Sequence, residues 1–242
     1  MVVSGVAHCL FEQSGTFRNA FLRRGITAYD YDIRDDFGCT DYVCDLFTQI
    51  ENAFDELPSL FDRIKEADIV MAFFPCTYFS QQNITFFNGT QNGWKQLTQE
   101  QINMEVILRD IHRHRYYQIL LKLCTIAEQK GFRLIIENPY STEHFLYNNF
   151  PYKPAVIDRN RQLRGDFFRK PTQYYFINCK PTYGESFHVS REKKRILSLN
   201  GKHGSRGQTE RSLISDDYAE AFISDFILGV SKKMTQQTLQ FN

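Results

Sequence analysis

A cysteine that follows an apolar run and a proline is placed to act as a nucleophile. Cys76 has that setting in Phe74-Pro75-Cys76-Thr77-Tyr78-Phe79-Ser80. The thiolate is the attacking species, and a helix start or nearby cations can produce it by lowering the thiol pKa. The competing reading, commoner for a single cysteine, is a buried structural thiol. Glu137, in Ile136-Glu137-Asn138-Pro139, is a carboxyl group at the end of another apolar run, where it suits proton donation to a bound group; the plain alternative is an Asn-Pro turn. Asp30-Tyr31-Asp32 closes the run ITAYDYD. An acid there suits a bidentate bond to ribose hydroxyls, or is an ordinary surface acid. In LFEQSGTFRNAF, residues 10–21, Gly15 stands between an apolar run and a helical stretch, so backbone amides can meet a ligand at the helix start. One glycine is too few for a GxGxxG dinucleotide pattern.

These residues need elements to hold them. Val2 to Phe11, Ile26 to Asp32, Ala67 to Phe74 and Phe132 to Ile136 read as strands. Phe17 to Arg24, Leu57 to Lys65 and Gln99 to Lys130 read as helices, with Gly25 and Gly131 closing the first and last. Strands alternating with helices predict an α/β fold with a mostly parallel sheet covered on both faces. In such sheets ligands bind beyond the carboxyl ends of the strands. Four polar clusters, 12–16, 30–32, 75–80 and 137–139, fall at those ends. Tyr174 to Ile177 reads as a further strand, and 180–211 reads as loops or a small irregular lobe. Residues 213–230 return to helical spacing, with Tyr218, Phe222, Phe226 and Ile227 on one face and Asp216 and Asp217 in the first turn. This helix is expected to pack back on the main domain, with a frayed tail after Ser231.

Composition narrows the class. The chain has 242 residues, of which 42% are hydrophobic and 24% charged, the balance of a folded globular domain. No apolar run reaches membrane-spanning length, and no secretory leader is read at the N-terminus. The six cysteines include no CxxC pair, so no metal site is expected and a reducing cytoplasm fits. Net charge is +1 but unevenly spread: residues 28–62 hold ten acids and one base, and residues 151–211 hold fourteen bases and five acids. The basic excess predicts a polyanionic partner, or a solvated basic surface. His112 and His114 are expected on an exposed helix face. The loop from Gln81 to Trp94 is expected to act as a lid, its aromatics packing on nucleic acid or on the core.

Taken together, LFxxxGxF, AxDxD, PCxxFS, ENP and QxR, in that order, resemble the DNA cytosine-C5 methyltransferases. PCxxFS (Pro75, Cys76, Phe79, Ser80) is the most specific match. The stretch 169–178, RKPTQYYFIN, is similar to a segment of small phage-type members. The likeness spans roughly residues 2–172 and, weakly, the last helix. It implies a Rossmann-like fold that uses S-adenosylmethionine (SAM), in the cytoplasm of a bacterial or phage-infected cell. It divides the chain into a SAM-binding catalytic domain (1–157), a small basic target-recognition lobe (158–212) and a C-terminal helix with tail (213–242). Phe11, Gly15, Thr16 and Pro75 would border SAM. Asp30 would hold its ribose hydroxyls, Tyr31 would lie along the adenine, and Asp45-Leu46 would meet the adenine amino group. Cys76 would attack C6 of a cytosine flipped out of duplex DNA, and Glu137 would pair with the base at N3 and the amino group. Arg164 would complete the catalytic set together with Arg161, or Arg159, in place of the second Arg of the QxRxR element.

The sequence departs from the family pattern at Gln13 and Thr16, where glycines are usual, at Thr77, usually Gln, and at Asp166, usually Arg. Two other functions stay open: the same chemistry on RNA, and a non-catalytic family member that binds DNA or a partner protein. A partner supplying sequence specificity fits the small size of the basic lobe.

Overall fold

The computed structural model describes residues 1–184 and 213–229. Its centre is a seven-stranded sheet of β1 (Ala7–Leu10), β2 (Ala28–Asp32), β3 (Tyr42–Val43), β4 (Ile69–Ala72), β5 (Arg133–Pro139), β6 (Val156–Asp158) and β7 (Thr172–Ile177). The spatial order is β3-β2-β1-β4-β5-β7-β6. The first five in that order run parallel, and β7 lies antiparallel to both of its neighbours. All four residues of β1 and of β4 are buried, without alternation. That is the signature of strands covered on both faces.

The covering helices are α1 (Thr16–Leu22), α2 (Leu46–Phe54), α3 (Ile84–Phe87), α4 (Gln99–Lys130), α5 (Phe145–Asn149) and α6 (Asp216–Phe222). On one face α2 and α4 enclose a core that includes Leu46, Ile50, Leu120, Leu123 and Phe132. On the other, α1 and α6 enclose Phe17, Phe21, Tyr218 and Phe222. Ser215 caps α6: its hydroxyl accepts from the Tyr218 amide (3.1 Å) and donates to Gly165 O (2.7 Å). After α6 the chain makes a π-helical turn, Ile223–Leu228, closed by Gly229 at φ 67°. Among the described residues no helix is long and apolar enough to cross a membrane.

Four sequence expectations change. The helix expected over Leu57–Lys65 is only a 3-10 turn at Leu60–Arg63, and the helix comes earlier, as α2. Pro58 pushes Leu57 out of the helical region, while Asp45 caps α2 by accepting from the Phe47 amide (3.0 Å). Second, β5 does not stop at Ile136. It continues through Pro139 because Glu137, Asn138 and Pro139 pair with Tyr174, Gln173 and Thr172 of β7. Third, the two edge strands, β3 and β6, are unforeseen. Fourth, the start of the expected recognition lobe is no separate body: Asp158 ends β6, and β7 is a strand of the main sheet. The rest of that lobe, 185–212, and the tail from 230 lie outside the described residues.

Candidate active site

The carboxyl ends of β1, β2, β4 and β5 open into one cavity of about 480 Å³. That size suits a nucleoside-sized ligand. Its floor begins at Phe11, which holds φ 61° just beyond β1. This left-handed turn costs a non-glycine residue about 1 kcal/mol. It is held by the Phe11 amide donating to Tyr31 O (2.8 Å) and by the edge of Phe74 at 5.2 Å. The turn lays Glu12, Gln13 and Ser14 along the cavity wall.

Cys76 and Glu137 face the same space from neighbouring strands. Asn138, fully buried, ties the two strand ends together: its Nδ2 donates to Phe74 O (2.8 Å) and Glu137 O (2.9 Å). Beyond Pro75 the chain turns tightly, with Cys76 O accepting from the Phe79 and Ser80 amides (3.0 and 3.2 Å). Burial pushes the Cys76 thiol up from its ordinary pKa. Lys170, also in the cavity wall, pulls it down, and the Glu137 carboxylate pushes it up. Neutralising Glu137 would ease the ionisation of the thiol. Glu137 is 7% exposed, and its Oε1 has no hydrogen-bond partner among the described residues. Arg161 Nη1 stands 3.9 Å from that oxygen.

Arg161 is fully buried, ion-paired with Asp166 and placed over the Tyr218 ring at 4.6 Å. It borders Glu137 from behind and does not line the cavity. Asp166 is the anion that permits this burial. Arg164 is not part of the site: it points to Asp225 (3.4 Å) and Asp158 (3.8 Å) and covers Phe226.

The cofactor side needs more correction. Phe11 and Pro75 line the cavity, but Gly15, Thr16, Asp30, Tyr31, Asp45 and Leu46 do not. Gly15 is the left-handed N-cap of α1 and Thr16 opens the helix beneath the wall. Asp30 is fully buried: its Oδ1 accepts from the Asp41 amide (2.7 Å) and from Arg18 Nη1 (3.3 Å). Tyr31 belongs to the core, with its hydroxyl on His8 Nδ1 (2.9 Å) and its ring stacked on Tyr42. Asp45 is spent as the α2 cap, and Leu46 is core. The acid that does reach the cavity from β2 is Asp32, two residues further along the same strand face.

Glu12 was not singled out by the sequence. Its carboxylate accepts from the Phe17 and Arg18 amides (2.7 and 3.3 Å), so it caps α1 from five residues upstream. Burial lifts its pKa to about 7 against the pull of those amides, with Asp30 adding to the rise. An acid between a strand end and a helix start was the available signal. Lys170 gave no local signal, because β7 brings it in from the far side of the sheet. Gln81 to Trp94 folds onto the protein: Arg109 lies over Phe86 (3.8 Å), Arg113 over Phe87 (4.0 Å), and Trp94 meets Phe86 edge-on.

The cavity chemistry fits SAM. Two carboxyl groups on the β1 and β2 side, Glu12 and Asp32, would face a cationic sulfonium in a lining that also holds Arg34 and Lys170, and Phe11 and Phe37 offer apolar surface for an adenine. No protein-family model matches the chain, and no curated protein sequence matches it.

Proposed function

We propose that the protein is a SAM-dependent DNA cytosine-C5 methyltransferase of Rossmann-like fold. The observation that carries this reading is that the Glu137 carboxyl group and the Cys76 thiol line one nucleoside-sized cavity from neighbouring strand ends. The sequence resemblance supports it from an independent direction.

Asp32 would accept from the ribose hydroxyls of SAM, Phe11 and Phe37 would pack on its adenine, and Glu12 would face its cationic end. SAM, when bound, supplies the methyl group that cytosine C5 accepts. Cys76 would pass its proton to the Glu137 carboxylate as its sulfur forms an S–C bond to C6 of a base extruded from the duplex. The ring electrons move onto C5 and toward N3, where Glu137 supplies a proton and stabilises the developing charge. That proton transfer leaves a carboxylate, which Arg161 at 3.9 Å is placed to balance. After methylation a water molecule would take the C5 proton, that electron pair would expel the Cys76 sulfur as a thiolate, and the N3 proton would return through Glu137 to the thiolate.

A duplex library in which cytosine is replaced by 5-fluorocytosine tests this. Fluorine cannot leave as a proton, so with SAM a protein–DNA adduct that survives denaturation is expected. Methylation of ordinary DNA without such an adduct would overturn the Cys76 mechanism. Neither product on DNA, with an adduct on 5-fluorocytosine RNA, would move the reading to RNA. No product on either would leave the non-catalytic binding role.

A further inference from the structure

We propose that the outer face of the first half of α4 is a self-association surface that pairs two copies of this chain antiparallel about a two-fold axis. The inference is independent of the functional reading above.

Only the last third of α4 is enclosed: its buried residues are Ile119, Leu120, Leu123, Cys124, Ile126 and Ala127. The first half still carries four large apolar side chains, Met104, Ile107, Leu108 and Ile111, exposed by 54%, 52%, 48% and 59%. Spacings of three, one and three put them on one helix face. The opposite face is already occupied, since Arg109 covers Phe86 and donates to Asn83 Oδ1 (2.7 Å) while Arg113 covers Phe87. A capping box between Thr98 and Gln101 fixes the helix start, so the stripe is presented on a formed element. Contiguous apolar surface of this kind marks an interaction site.

Charge chooses the occupant. Glu100 and Arg115 are exposed and extend the stripe at its two ends, about 22 Å apart along the helix. Among the described residues neither forms an ion pair. A two-fold axis between Ile107 and Leu108 sets Met104 against the second copy's Ile111, and Glu100 against the second copy's Arg115. Each contact then occurs twice, as an isologous interface requires. Parallel pairing would instead oppose Glu100 to Glu100 and Arg115 to Arg115.

Sedimentation equilibrium of the full chain over micromolar concentrations tests the proposal. The expected mass is twice the 28.5 kDa of one chain. The double variant Ile107→Asp/Leu108→Asp should be monomeric, with unchanged helicity by circular dichroism. Arg115→Glu should weaken the dimer about tenfold, and Glu100→Arg added to it should restore the dimer. A wild type that stays monomeric overturns the proposal and leaves the stripe to a different protein. A dimer untouched by the double aspartate variant, or a charge swap that fails to restore pairing, overturns it as well.

Discussion

The two halves of the cavity were not equally visible. On the side of β4 and β5, the two residues singled out in the sequence, Cys76 and Glu137, both reach the open space. On the side of β1 and β2, the residues singled out in the sequence, Gly15, Asp30, Tyr31 and Asp45, lie beneath or beside it, and Glu12 and Asp32 stand in the wall instead. The difference lies in what each motif specifies. A thiol or a carboxylate beside a strand end names itself through its side chain. A cofactor turn works through backbone path, and here that path carries Gln13 and Thr16 beside the single Gly15. Phe11 makes the turn in a strained left-handed conformation, and the wall shifts with it.

Breaking the chemical half should have the largest effect. Cys76→Ser is expected to lower methyl transfer at least about a thousandfold, since an alcohol is a far weaker nucleophile at neutral pH. Glu137→Gln is expected to cost about 10²–10⁴-fold, the usual worth of a placed proton donor. Both variants should retain SAM binding by calorimetry, because neither removes a group assigned to the cofactor half. Loss of SAM affinity along with turnover would mean that the two halves are not separable.

A pair of neighbouring acids sharpens the other half. Asp30→Ala removes one partner of a buried ion pair and should cost about 3 kcal/mol of stability, although Arg18 keeps Asp41 at 3.0 Å. Asp32→Ala removes a half-buried cavity carboxylate and should instead weaken SAM by about 1.5–3 kcal/mol, the worth of a charge-assisted hydrogen bond. Thermal melts without ligand and calorimetry with SAM separate the two outcomes. If Asp30→Ala loses SAM while keeping its melting point, the ribose acid is Asp30 after all.

How far the sequence reached follows from how local each signal was. α4 was read with its true bounds, Gln99–Lys130, because a Thr98–Gln101 capping box starts it and Gly131 at φ 75° ends it. The parallel core was legible as uninterrupted apolar runs. What stayed hidden depends on pairing between distant segments. The return of β7 against β5 extends the strand through Glu137 and delivers Lys170 to Cys76. Arg161 is buried only because Asp166 and Tyr218, on separate elements, close around it. The shift from Asp30 to Asp32 is a matter of where β2 ends relative to the cavity. Alternation puts both acids on one face and cannot say which clears the edge.

Glu12 offers the smallest effect and a sign that can be worked out. Its carboxyl has a pKa near 7 in the folded protein, against about 4.5 when unfolded. Below pH ~4.5 both states hold the proton, and Glu12 adds no pH dependence. Between ~4.5 and ~7 the unfolded chain releases the proton while the folded protein keeps it, so stability falls as pH rises. Above ~7 the loss is complete and levels off, at up to about 3 kcal/mol. Glu12→Gln keeps an oxygen that can accept from the Phe17 amide but removes the titration. The variant should therefore melt close to wild type at pH 4.5 and increasingly above it toward pH 7.5, with the gap flat beyond. A gap that does not change with pH would mean that the carboxyl is not held protonated by burial. A variant less stable than wild type at pH 8 would mean that the ionised carboxylate on the α1 amides outweighs its own desolvation. Glu12 would then be a stabilising cap, and the strained turn at Phe11 would have a structural reason apart from any cofactor.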